Sequence, residues 1–346
     1  MTIRERLEAF WAGERPDEIP YTIYEWEWMG AREDPAWQAL FDAGLGVTCH
    51  RGTFGSETPG LEVRYEDYTE AGKPWRREIQ HTPVGDLTQT WEAGWHRKYL
   101  LGTAQDYRVM TWIVRHTTLA PCYDEYLQAE AELPPHAVAL AYIGRTPLQT
   151  ILVDWVGLEH FAFHLADFAE ELQELYDALL ANFRQRTEIV AAGPGRFVSN
   201  LENFTAETLG PRRYAQYLLP VYEECFPQIQ AAGKIIGCHY DGRTASCKEV
   251  IARAPIDLIE SLTEPMEGDQ TLREARAAWP DKLFWCNIRV GDYQLPPEEL
   301  RAHVLEMVRD AAPDGRRLAF EVSEHRPANW QQSMPVVLET LKETRR

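Results

Sequence analysis

The segment Cys238-His239-Tyr240-Asp241-Gly242 carries an imidazole and a carboxylate two residues apart. On an extended strand such residues face the same way, so His239 and Asp241 can grip one ligand while Cys238 points away. Two chemistries suit the pair. With Cys286 and Glu321 as co-ligands, His239 belongs to a Zn²⁺ site of three protein ligands and one open position. Without metal, His239 and Asp241 are an acid-base pair in which the carboxylate sets the imidazole tautomer and raises its basicity. Spacing leaves both open. Gly242 fits a backbone that turns sharply, or approaches a ligand closely, after the strand.

Other polar residues follow short apolar runs. The run through Val198 ends in Asn200-Leu201-Glu202-Asn203, another in Cys286-Asn287, and the last in Glu321, Glu324 and His325. Glu202, Asn203, Glu324 and His325 are candidates for orientation and proton transfer. Glu260 and Glu264 fit a plainer role, facing water or capping the helix that follows. Near the front, Tyr21, Tyr24, Trp26, Trp28 and Trp37 are dense enough to line a pocket for an apolar or aromatic substrate, with core packing as the alternative. Tyr24, Trp26, Trp28 and Asn287 are the candidate substrate contacts.

The elements that position these residues alternate regularly. Apolar runs at Ile19 to Tyr24, Ala137 to Tyr142, Arg196 to Ser199, Lys234 to Cys238, Ile256 to Ile259, Leu283 to Ile288 and Leu318 to Val322 are separated, from Ala137 onward, by helical patterns. Those patterns cover Asp167 to Val190, Arg212 to Ala231, Cys247 to Ala254, Leu272 to Trp279, Pro297 to Ala311 and Trp330 to Lys342. Continuously apolar strands joined by helices are buried on both faces of a parallel sheet. The expectation is a single α/β domain over residues 1–346, a (β/α)₈ TIM barrel. A doubly wound open sheet shares the local pattern. Ile3 to Phe10 reads as an N-terminal helix. Leu61 to Glu66 and Trp75 to Ile79, flanking Glu70-Ala71-Gly72-Lys73, read as a β-hairpin inserted near the barrel mouth. In a barrel, the strand C-termini carry the chemistry, which is where these polar residues fall.

Composition narrows the partners. Acidic residues outnumber basic ones 54 to 35, for a formal charge of −19, which repels nucleic acid and anionic lipid surfaces. The start lacks a signal-peptide apolar core, and no apolar run nears the roughly 18 residues of a membrane span, so a cytoplasmic location is expected. Six cysteines without CxxC spacing read as reduced thiols, mostly core filler.

With these segments placed, the chain resembles the uroporphyrinogen decarboxylase superfamily, which includes corrinoid (cobalamin)-dependent methyltransferases. The likeness spans nearly the whole chain. It rests on Arg4-Glu5-Arg6, Pro16-Asp17-Glu18-Ile19-Pro20, His81-Thr82-Pro83-Val84-Gly85, Pro220 ahead of Gly233-Lys234-Ile235-Ile236, His239-Tyr240-Asp241-Gly242 and Ser323-Glu324-His325-Arg326-Pro327. True decarboxylases grip porphyrin carboxylates with an arginine-rich segment at the first strand. This chain has Tyr24-Glu25-Trp26-Glu27-Trp28, which repels a polycarboxylate. The methyltransferase branch is the better match. Its thiol-methylating members hold zinc with a His-x-Cys motif and a late cysteine; here Asp241 replaces the first cysteine, and Glu324 and His325 stand near the second. Harder oxygen ligands make a more Lewis-acidic ion.

The resemblance therefore implies a metal-assisted O-demethylating methyltransferase. It would move a methyl group from a small methoxylated or methylamine-type donor to a separate corrinoid protein. Homodimers are common among relatives. Two other readings stand beside it: a metal-independent decarboxylase or lyase of a small acid using His239 and Asp241, and a barrel that binds a small molecule without turnover.

Overall fold

The computed structural model describes residues 1–344. The chain forms two compact units: residues 1–53, 122–144 and 190–344 make the first, and residues 54–121 and 145–189 the second.

The first unit is a closed barrel of eight parallel strands. They are β1 (Tyr21–Tyr24), β2 (Gly46–Arg51), β3 (Ala137–Tyr142), β4 (Phe197–Asn200), β5 (Ile235–His239), β6 (Leu258–Leu262), β7 (Leu283–Asn287) and β8 (Leu318–Glu321). Each pairs with its sequence neighbours and β8 closes onto β1. The open-sheet alternative is thereby excluded. The strand the apolar pattern overlooked is β2. Its inward positions carry Gly46, Thr48 and His50, and its last residues are half-buried His50 and Arg51, so no uninterrupted apolar run marks it.

Helix α1 (Ile3–Trp11) starts at a capping box between Thr2 and Glu5 and buries Leu7, Phe10 and Trp11. These join Val138, Leu140, Phe197, Leu258, Leu283, Trp285 and Ala319 in the barrel core. Trp11 stacks on Phe197 at 5.4 Å, and Phe10 meets Trp285 edge-on at 5.9 Å. The crowding sets a requirement on β5. A Cβ at Gly237 would lie 2.5 Å from the Phe197 ring, so only glycine lets strand and ring coexist.

The second unit contains a four-stranded antiparallel sheet of Glu62–Glu70, Lys73–Thr82, Gly85–Glu92 and Trp95–Lys98. Its first two strands are the expected hairpin. They turn through Ala71 and Gly72, whose φ angles of 49° and 79° suit the twist of a tight hairpin. Phe54–Glu57 pairs antiparallel with Thr118–Pro121, and Ala104–His116 is a helix opened by a Thr103–Asp106 capping box.

Among the described residues no helix is long and apolar enough to cross a membrane. All six cysteines are free thiols; five are buried and Cys122 is partly so.

Candidate functional site

The period-2 alternation of the strands sorts the candidates before any chemistry begins. On β5, His239 faces the barrel interior. Cys238 faces outward, where Asn200 Nδ2 donates to its Sγ at 3.3 Å. On β7, Trp285 faces inward with the core and Asn287 follows it, while Cys286 sits on the opposite face. There burial and the carboxylate of Glu264 raise its thiol pKa, against the pull of the Arg276 guanidinium. Cys286 therefore does not reach the site of His239, which corrects the co-ligand expectation.

The imidazole of His239 lies between two carboxylates. Its Nδ1 is 3.4 Å from Glu260 Oε2 and its Nε2 is 3.7 Å from Asp241 Oδ2. Glu260 is its register partner on β6 and is buried. Burial by itself would strip the imidazole of its proton. Asp241 and Glu260 outweigh it and hold the His239 pKa up at about 10. Burial opposes ionisation of both acids too, yet the imidazolium brings each below the ordinary carboxylate range. Asn203 helps at Asp241, donating Nδ2 to Oδ2 at 3.0 Å from a backbone with φ of 49°, a conformation asparagine tolerates. What Gly242 approaches closely is the chain itself, since a Cβ there would lie 2.3 Å from Thr205 Cβ.

Glu324 completes the cluster. One donor atom each from His239, Asp241 and Glu324 lies within 4.8 Å of the others. The donors that gather are thus one nitrogen and two carboxylate oxygens, without Cys286 or Glu321.

Glu321 occupies a different position, inside the barrel. Its Oε1 accepts hydrogen bonds from Thr48 at 2.8 Å and Thr22 at 3.2 Å, and Trp285 Nε1 donates to Thr22 at 3.1 Å. Burial and the negative charge of Glu260 push its pKa up to about 8. The barrel interior therefore favours its protonated form. The Tyr24 hydroxyl stands between the two glutamates, 3.4 Å from Glu260 Oε1 and in hydrogen-bonding reach of Glu321 and Ser261. Ser261 reaches inward because the β6–β7 register shifts there and its φ is 65°. Asn287 Nδ2 donates to Ser261 Oγ at 2.7 Å.

Aromatic rings lie beside this network. Trp26 is half exposed and stacks on Tyr24 at 4.2 Å with an interplanar angle of 11°. His50 lies 6.4 Å from both rings, and burial lowers its pKa. Trp26 Nε1 donates to the Glu324 carbonyl at 3.3 Å, tying the ring to the cluster. Trp28 goes elsewhere, packing edge-on against Phe41 and His136. The acidic character expected of Glu25 and Glu27 is largely neutralised. Arg51 grips Glu25 with two bonds of 2.7 and 2.8 Å, and Arg326 N donates to Glu27 at 3.0 Å.

Two further candidates stand apart from the imidazole. Glu202 is buried behind β5, where Tyr222 donates to it at 2.6 Å within a hydroxyl network of Tyr214 and Tyr240. His325 is exposed and faces Glu27 at 3.5 Å. Glu264 caps the next helix, accepting from Leu272 N at 3.0 Å as expected. Glu260 and His50 are the residues that sequence reasoning missed. Glu260 carried a signal in its place at the end of an apolar run, one strand after His239.

No protein-family model matches the chain, and no curated protein matches it. Among solved structures it is similar to a B12-independent methionine synthase from Shewanella sp. W3-18-1 in complex with selenomethionine. That likeness has 10% identity and a TM-score of 0.43 over 89% of this chain and 85% of that one. It is also similar to an IOLI protein with a bound zinc atom, at 12% identity and TM-score 0.35 over 64% and 80% of the two chains. A D-psicose 3-epimerase follows, at 12% and 0.34 over 68% and 80%. Likenesses this distant carry no residue role to this chain. What its own strands establish is a (β/α)₈ TIM barrel with an imidazole and several acids at the carboxyl ends of its strands.

Proposed function

We propose that the protein is a metal-assisted methyltransferase of the uroporphyrinogen decarboxylase-like superfamily, taking a methyl group from a small donor and passing it to a separate corrinoid protein. The observation that carries this reading is the gathering of His239, Asp241 and Glu324 donors within 4.8 Å.

The donor set suits a zinc-type ion. Three protein ligands leave a position for substrate. Glu260 beside Nδ1 favours the tautomer whose Nε2 lone pair faces Asp241, the arrangement that steadies ligating histidines. The carboxylates that hold a proton on His239 create the negative field in which a cation can replace it. When bound, such an ion supplies Lewis-acid polarisation of the heteroatom carrying the methyl group. Trp26, exposed and tied to the Glu324 carbonyl, offers a face for the donor to pack against, and Asn203 orients Asp241.

Protein purified without chelator after zinc-replete growth is expected to hold about one zinc per chain, lost in His239→Ala. Methyl ethers and methylamines are then assayed for methyl transfer to added cob(I)alamin. Absence of zinc and of transfer would overturn the reading. A metal-independent lyase is favoured by one observation, the imidazolium held between Asp241 and Glu260, which keeps a proton at the strand end. Turnover of a small acid by zinc-free protein, abolished in His239→Gln, would select it.

A further inference from the structure

At the barrel mouth the segment after β4 lies against the segment after β5. Phe204 N donates to the His239 carbonyl at 3.2 Å, Arg243 N to Thr205 Oγ1 at 3.1 Å, and Ala206 N to the Arg243 carbonyl at 2.7 Å. Each segment sends one residue into the site and the residue before it to the rear. Asn203 and Asp241 meet in front through their 3.0 Å bond. Glu202 and Tyr240 both reach the Tyr222 hydroxyl behind.

The rear cluster is closed to solvent, with Glu202, Tyr214, Tyr222 and Tyr240 fully buried. Tyr222, on the helix Leu219–Ala231, donates to Glu202 at 2.6 Å, and Tyr240 donates to Tyr222 at 3.4 Å. The Tyr214 and Tyr240 hydroxyls lie 2.8 Å apart, and the Phe204 ring packs 5.1 Å from Tyr214 and 5.0 Å from Tyr240. Burying a carboxylate is costly, and an apolar side chain would fill the same space without that cost. What a bonded network adds is a single fixed arrangement. Here the fixed residue is one peptide away from Asn203, whose φ of 49° aims its amide at Asp241. The planar peptide passes the position of one residue to the next.

We propose that Glu202, held by Tyr222, is a positioning residue: it sets the Asn203 backbone so that the amide keeps Asp241 turned towards His239 Nε2. Glu202 touches none of the reacting groups and acts through its neighbour. The inference deepens the reading above and rests on it only where zinc is the readout; the placement of Asp241 needs no metal.

A double-mutant cycle on the metal-free full chain tests it, with urea unfolding of Tyr222→Phe, Asp241→Ala and the double variant. If Tyr222 acts through Glu202 on Asp241, the combined loss falls short of the product of the single losses by at least about fivefold in the unfolding constant. Additive losses overturn the proposal, whether or not zinc binds. Should Tyr222→Phe fail to fold, Glu202→Gln, which keeps an oxygen for the Tyr222 hydroxyl, takes its place in the cycle. Chelator competition gives a second readout. Zinc affinity should fall about tenfold in Tyr222→Phe and hold in Leu338→Ala, a core truncation in the last helix, Trp330–Lys342. Equal affinity in wild type and Tyr222→Phe also overturns the proposal. Wild type without zinc counts against the metal reading alone, and the metal-free cycle then decides the positioning role.

Discussion

Nδ1 of His239 lies 3.4 Å from the buried carboxylate of Glu260, and the two residues are register partners on adjacent strands. One side of the imidazole is thereby committed to the barrel wall. The other side faces Asp241 and the cluster that includes Glu324. Glu260 sets how the imidazole can be used, whether it holds a metal or a proton.

Removing that carboxylate should be felt at the metal without removing a ligand. In Glu260→Gln, zinc affinity is expected to fall about 10- to 100-fold, as for other outer carboxylates behind ligating histidines. Competition with a chromogenic chelator measures it, and an unchanged affinity would show that Glu260 does not support the site.

The pairing of His239 also sets a pH dependence. Its folded pKa of about 10 stands above the ordinary 6.5. Its contribution to stability is therefore complete below pH 6.5 and is lost as pH rises through about 10. In metal-free protein the Tm advantage of wild type over His239→Gln should shrink steadily across that window. An advantage constant with pH would contradict the pairing.

Glu321 makes a second contribution, linked to the first through the charge of Glu260. Its carboxyl is raised from 4.5 to about 8, so the folded state favours the protonated acid. The associated stability is present below pH 4.5 and lost as pH rises through about 8. Glu321→Gln keeps the neutral shape and should gain on wild type between about pH 5 and pH 8, as read by thermal melts. Parallel melting curves would mean that Glu321 titrates normally.

Behind β5, Tyr222→Phe removes the hydroxyl that donates to buried Glu202 at 2.6 Å. The expected loss is about 1–3 kcal/mol in urea unfolding. A change within experimental scatter would show that Glu202's other contacts suffice.

In the core, Gly237→Ala forces a methyl group towards the Phe197 ring, 2.5 Å from the position of the new Cβ. Overpacking of this kind costs about 1–3 kcal/mol. Denaturant midpoints would report it, and a neutral result would require the ring to swing aside freely.

By itself the sequence located the alternating strands and helices of the barrel and the strand end at which His239 and Asp241 meet. Apolar runs separated by helical patterns located seven of the eight strands, because strands buried on both faces leave a mark in composition. Period-2 alternation then set His239 apart from Cys238. These are local regularities, written within a few residues. Tertiary structure decided the rest. β2 closes the barrel although two of its three inward positions are threonine and histidine. The companions of His239 are Glu260 from the next strand and Glu324 from beyond the last, while Cys286 and Glu202 face away. Which acids converge depends on the register between strands and on the shift at Ser261. Register is a property of paired strands, so no single segment of the sequence contains it.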